Sequence, residues 1–328
     1  MNTIIYLDFF KFKKPPFQII PDDDFLYLSQ QHSKAMAYMD YAVSQPGGFV
    51  VITGEVGAGK TILLKRLIKR FDKKVACISL PFTNLKGKEL FQYIAEEAGT
   101  VANKESKVSL VFSLKKHFHT ELDRGRPSVL IIDEAQNLTV ENLEDIRMLA
   151  GLEVNNKPLL RVIMLGQPEF MLSVNDSEQL KQRVKLHYHL KGLSEEDVSK
   201  YIEYRLKIAG NNTDNIFTKN VISEIFKYSN GIPRLINKIC DALLLCAFIE
   251  DRKYALKNDV VEVASDLMIN IPKVLGMGNA ITSNVAVKKI SELAEDSNSF
   301  ERMIYALEGI NMSLEALANN MNTKDEVE

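Results

Sequence analysis

The segment Val50-Val-Ile-Thr-Gly-Glu-Val-Gly-Ala-Gly-Lys-Thr61 constrains this chain more than any other stretch. An apolar run, the pattern of a buried strand, opens directly into G-x-x-x-x-G-K-[ST]. In a chain of this length those four specified positions coincide by chance only about once in a hundred, so a mere glycine turn explains them poorly. Glycines at 54, 57 and 59 let the backbone wrap around phosphate oxygens, so that successive N–H groups and the start of the next helix face negative charge. Glu55, Val56, Ala58 and Ile62 complete that cradle. Lys60 is expected to reach the β and γ phosphates and the Thr61 hydroxyl to ligate Mg²⁺, which makes ATP with Mg²⁺ the expected cofactor pair.

Ser128-Val-Leu-Ile-Ile-Asp-Glu-Ala-Gln136 supplies a second half. A wholly apolar run that ends in two carboxylates is what a buried parallel strand looks like at its C-terminal edge. Asp133 is expected to help hold Mg²⁺ and Glu134 to polarise an attacking water, which points to hydrolysis rather than nucleotide storage.

The chain has 328 residues, enough for two domains and a sizeable core. Cys77, Cys240 and Cys246 lie in apolar runs without C-x-x-C spacing, so they read as reduced thiols in a cytoplasmic setting. The N-terminus has no signal-peptide pattern, and the longest apolar stretch, 242–249, is too short to cross a bilayer, so no transmembrane segment is expected. Residues 291–328 carry nine acidic and two basic side chains, which leaves the body mildly basic. Part of that charge is a stripe of Lys65, Lys69 and Lys73 beside Arg66 and Arg70. The stripe is either a solvated helix face or a nucleic-acid backbone contact. His32 reads as a residue of an N-terminal helix, and His187 and His189 as the polar side of a strand. His117 and His119 lack a third ligand at metal spacing, so no metal other than Mg²⁺ is expected.

Strands are predicted at 48–53, 75–80, 129–133, 159–166 and 184–190, alternating with helical stretches, which implies an α/β domain built on a parallel sheet. From Ser194-Glu-Glu-Asp197, a helix cap with first-turn acids, the pattern is helical with breaks at 210–214 and 231–233. The expected division is an N-terminal segment over 1–47, an α/β domain over 48–193, a small helical domain over 194–269, a linker over 270–298 and an amphipathic helix over 299–323. Phe300, Met303, Leu307, Ile310, Leu314, Leu317 and Met321 alternate at spacings of three and four. Such a seam either packs on its own protein or forms a short coiled coil with a partner.

Phosphate loop, acidic strand, further strand and C-terminal helical lid, in this order, resemble the AAA+ P-loop ATPases. Within them the chain is similar to the general secretion pathway protein A family, which includes the MSHA-pilus biogenesis and exosortase-associated ATPases. The resemblance rests on Pro16-Phe17, Pro21-Asp-Asp-Asp-Phe-Leu-Tyr-Leu-Ser29, His32, Tyr41-Ala-Val43 and the phosphate loop. It continues through Ile132-Asp-Glu-Ala-Gln136, Leu165-Gly-Gln-Pro-Glu169, Gln182-Arg183 and Gly231-Ile-Pro-Arg-Leu-Ile-Asn237. It implies Gln167 as a sensor near the γ-phosphate and Arg234 either as a second sensor reaching phosphate from the lid or as one half of a structural salt bridge. For Arg183 it implies an arginine finger offered to a neighbouring subunit, with a structural salt bridge as the other reading. Pro16, Phe17 and Tyr27 either line an adenine pocket or simply pack. The longer secretion members carry a membrane span and a peptidoglycan-binding domain that have no counterpart in this sequence, so the soluble pilus-type and exosortase-type members fit better.

The function this implies is an oligomeric ATPase, a self-partner, that drives or regulates assembly of a type II secretion, type IV pilus or exopolysaccharide-export machine at the inner membrane. The alternative is a transposition regulator of the same branch, which binds DNA in an ATP-dependent way and recruits a transposase.

Overall fold

Five short runs rich in Val, Ile and Leu become the strands of one parallel sheet: β1 (Phe49–Gly54), β2 (Ala76–Leu80), β3 (Ser128–Ile132), β4 (Leu160–Gly166) and β5 (Val184–Leu190). The computed structural model describes residues 5–18, 23–71, 74–81, 85, 87–100, 106–210 and 216–269. The linker and heptad helix expected beyond residue 269, and Lys73 of the basic stripe, lie outside the described residues.

The spatial order is β2-β3-β4-β1-β5, so the late strand β4 is inserted between β1 and β3. The register pairs Val51 and Ile131 with Met164 and Ile163 of β4, and Ile78 of β2 with Leu130. β1, β3 and β4 are buried along their whole length, because helices cover both faces of the sheet. On one face Val51, Leu130, Val162 and Met164 pack against Phe91 of α3 (Lys88–Glu97), Phe118 of α4 (Lys107–Asp123) and Ile146 of α5 (Val140–Ala150). On the other, Val50, Ile52, Ile131, Ile163 and Leu165 meet Met36 and Met39 of α1 (Gln30–Ser44) and Leu63, Leu64 and Leu67 of α2 (Lys60–Phe71). Alternate residues of each strand therefore serve alternate cores, as the two-residue period of a strand requires. Asn155 and Asn156, both at positive φ (51° and 57°), turn a two-residue hairpin between Glu153–Val154 and Lys157–Pro158 just ahead of β4.

By its contacts the chain divides into two bodies. The sheet body comprises residues 28–193 with 232–234, and the second comprises the described parts of 1–27, 194–231 and 235–269. The second body is helical: α6 (Glu195–Ala209), α7 (Lys219–Ser229), most of α8 (Pro233–Ile249) and α9 (Lys257–Asp266). Ser194 caps α6 by accepting the Asp197 N–H, and three acids fill the first turn, where the helix dipole favours them.

The N-terminal segment is built into this helical body. Arg205 is buried; its Nε donates to the Pro16 carbonyl at 2.6 Å, its Nη1 to the Tyr201 hydroxyl at 2.8 Å, and its guanidinium lies 4.9 Å from the Phe25 ring centroid. Phe17, 1% exposed, packs edge-on against Phe217, and the Tyr27 hydroxyl donates to Asp197 at 3.1 Å. The Tyr6 hydroxyl donates to Asp241, whose carboxyl is pushed up by burial. Packing is thus what the structure gives Pro16, Phe17 and Tyr27.

Replacing Arg205 by Ala takes the Arg205 donor from the buried Pro16 carbonyl and the Tyr201 hydroxyl, at a cost of about 2–4 kcal/mol. The expected outcome is a lower Tm and early protease cleavage within residues 5–18, with Arg205→Lys intermediate because a point charge replaces a planar fork.

Candidate nucleotide site

The C-terminal ends of β1, β3 and β4 lie side by side, and each delivers polar groups to one edge of the sheet. β1 ends at Gly54, where a Cβ would stand 2.6 Å from the Leu190 carbonyl oxygen, so only glycine lets β5 approach so closely. The loop then passes through Gly59 at φ 100°, a backbone conformation that other residues rarely adopt, and α2 begins at Lys60. Lys60 is 6% exposed, and its Nζ donates to the carbonyls of Gly54 at 2.6 Å and Glu55 at 3.1 Å. Burial lowers its pKa, while the carboxylates of Glu134, Asp133, Glu55 and Glu169 pull the other way. An ammonium held by neutral carbonyls at a helix start is poised for an incoming anion.

β3 delivers Asp133 and Glu134. The Thr61 hydroxyl donates to Asp133 Oδ2 at 2.8 Å, and Asp133 Oδ1 accepts the Glu134 N–H at 3.0 Å. Neighbouring oxygens around an octahedral Mg²⁺ with bonds of about 2.1 Å stand about 3 Å apart, so the Thr61 and Asp133 oxygens fit one such ion. Glu134 adopts a left-handed backbone at φ 51° and presents its carboxylate to solvent. For a residue other than glycine that conformation is uncommon, and it recurs at functional sites.

β4 delivers Gln167, whose N–H donates to Gln136 Oε1 at 3.0 Å. Arg234 also reaches this edge: its N–H donates to the Gly57 carbonyl at 3.3 Å, and a Cβ on Gly57 would stand 2.4 Å from the Arg234 Cβ. Val56, between Glu55 and Gly57, is half exposed. Thus Gly54 to Ile62, Asp133, Glu134, Gln167 and Arg234 converge. Arg183 does not. It precedes β5 at the opposite end of the sheet, where its carbonyl accepts the Phe49 N–H at 2.7 Å and its guanidinium lies beside Gly151. A seven-residue strand separates it from the loop edge, roughly 20 Å.

Two residues at the site were given no role in the sequence reading. His32, 6% exposed on α1, has Nε2 at 3.1 Å from the Ala58 carbonyl of the phosphate loop and Nδ1 at 2.9 Å from Ser29 Oγ. A carbonyl only accepts, so Nε2 carries the hydrogen and Nδ1 accepts. The helix-cap spacing Ser29-x-x-His32 was the available signal, and both halves of a capping box are formed. The second is Gln136. His187 and His189 reach the Thr53 hydroxyl at 2.8 and 3.1 Å, and burial lowers the His187 pKa. Among the described residues no group of three or more His, Cys, Asp or Glu is placed to hold a metal, and no helix is long and apolar enough to cross a membrane.

Comparison with known proteins agrees with the fold. A family profile described as an AAA domain matches residues 43–171. General secretion pathway protein A of Aeromonas hydrophila is 37% identical over 259 residues, covering 78% of this chain and 47% of that protein. The chain is a homologue of general secretion pathway protein A with an AAA-type P-loop fold. It spans about half the length of that relative. Among solved structures, Cdc6p of Pyrobaculum aerophilum superposes with a TM-score of 0.59 at 16% identity, covering 77% of this chain and 73% of that one. ORC2 of Aeropyrum pernix gives 0.57 at 16% identity, covering 78% and 72%. At such identities these two attest the fold alone.

His32→Ala removes the brace on the Ala58 carbonyl. ATP affinity, read with a fluorescent analogue, should fall about tenfold, as loss of one buried hydrogen bond predicts.

Proposed function

We propose that this AAA+ protein binds ATP with Mg²⁺ between the phosphate loop and the β3 edge, hydrolyses it, and couples hydrolysis to assembly of an envelope machine. The observation that carries the chemistry is the Thr61–Asp133 hydrogen bond at 2.8 Å, with Glu134 fixed next to it by its own N–H, which donates to the same Asp133 carboxylate. The loop N–H groups of residues 54 to 62 and Lys60 bind and orient the phosphates. Thr61 and Asp133 would hold Mg²⁺, which when bound would offset charge on the phosphate oxygens. Glu134 takes a proton from, and orients, the attacking water. Gln167 and Arg234 present polar groups to the γ-phosphate from two directions, so that charge developing in the transition state meets donors already in place.

Arg183 has a different reach. At the far end of β5 it is too distant to touch a nucleotide on its own loop, which supports a role as a finger offered to the next subunit in a homo-oligomer. Hydrolysis would then require assembly, and turnover would report it. Relatedness to general secretion pathway protein A supports an envelope process, with secretion, pilus or export components as partners on the cytoplasmic side of the inner membrane.

Turnover per subunit should rise with protein concentration in the wild type. It should fall about a thousandfold in Arg183→Ala at saturating protein and vanish in Lys60→Ala. A rate independent of concentration and indifferent to Arg183 contradicts the trans finger, and stimulation by duplex DNA would favour the transposition-regulator reading.

A further inference from the structure

Gln136 sits between the two strand ends that deliver Glu134 and Gln167. Its Oε1 accepts the Gln167 N–H at 3.0 Å and its Nε2 donates to Glu134 Oε2 at 2.6 Å. The amide's orientation follows from its partners: a backbone N–H only donates and a carboxylate only accepts, so oxygen must face Gln167 and nitrogen must face Glu134. The second bond has the length of a charge-assisted hydrogen bond.

The base of this bridge is rigid. Gln136 lies in a one-turn 3-10 helix, Ala135–Asn137, whose Ala135 is fully buried in the core beneath the sheet edge. Gly166 leaves the amide its place, since a Cβ there would stand 3.3 Å from Gln136 Oε1. Glu134, in contrast, is exposed and carries a side chain with several rotatable bonds. Left alone it would sample many rotamers, few of which aim a carboxylate oxygen at one water.

We infer that Gln136 is the positioning residue that fixes the Glu134 carboxylate and ties it to the β4 end bearing Gln167. The inference rests on the proposal that Glu134 orients the attacking water. Because one side chain joins the two strand ends, a shift of Gln167 pulls on Glu134, and the hydrolytic carboxylate takes its aim from the position of the residue proposed to sense γ-phosphate. Gln136 itself touches neither phosphate nor water in this account.

The test is kcat and ATP Kd, measured separately, for wild type, Gln136→Ala and Gln136→Glu, with Lys60→Ala as the inactive control. Losing the bridge should lower kcat by about ten- to a hundredfold with Kd changed by less than about twofold. Gln136→Glu keeps the shape but replaces the donor with an oxygen and sets like charges together, so it should be at least as slow as Gln136→Ala. In a Glu134→Gln background, adding Gln136→Ala should leave the residual single-turnover rate unchanged, because the group it positions is already gone. Retained nucleotide binding shows that the variants fold. Kd rising in step with the loss of kcat, a fully active Gln136→Glu, or a further loss in the double variant would overturn the bridge. A wild type no faster than Lys60→Ala would instead overturn the hydrolase reading on which it rests.

Discussion

The site depends on one topological fact: β4, the fourth strand of the five-stranded sheet in chain order, lies between β1 and β3. Parallel strands share a direction, so inserting β4 there puts three C-terminal ends in a row, and each end carries chain that leaves the sheet as a loop. Gly54 to Thr61, Asp133 to Gln136 and Gln167 thereby become neighbours though more than a hundred residues separate the first from the last. Burial on both faces makes the arrangement stiff, since β1, β3 and β4 give alternate side chains to two cores. A one-residue slip of any of them would exchange those cores and misplace the edge.

Small polar contacts then complete what the sheet positions. Thr61 binds to Asp133 across the width of β4, Gln136 binds Glu134 to Gln167, and His32 holds the loop from α1. None of them is large in energy, and each is short in reach. They are useful because strands and helix starts have already brought the groups within hydrogen-bond distance. The same economy holds in the helical body, where one guanidinium, Arg205, gathers the N-terminal segment by hydrogen bonds and ring stacking.

Much of this was legible in the sequence because it is local. A glycine pattern followed by Lys-Thr, and an apolar run ending in Asp-Glu, specify backbone shapes and chemistry within a dozen residues; four strands appeared as largely apolar runs of the right length and the fifth, Val184–Leu190, as an alternation of polar and apolar residues. Strand order and register were not legible, since the residues of a buried parallel strand say only that it is covered on both sides. Gln136 was in view as part of a motif, but its partner is a backbone amide 31 positions away in sequence, and backbone amides leave no compositional mark. His32 read as an ordinary helix residue because the carbonyl it holds lies 26 positions later. Phe17 and Tyr27 remained ambiguous for the same reason, as an aromatic side chain packs against a helix or a ligand by one physics.

The most direct test of the account is a structure of the chain with Mg²⁺ and a non-hydrolysable ATP analogue. In that complex Lys60 Nζ should exchange the Gly54 and Glu55 carbonyls for phosphate oxygens, one Mg²⁺ should touch the Thr61 hydroxyl and lie against Asp133, and Glu134 should face the γ-phosphate. A nucleotide bound away from the β1, β3 and β4 ends, or one at the loop with Lys60 still on its carbonyls and Glu134 turned away, would contradict it.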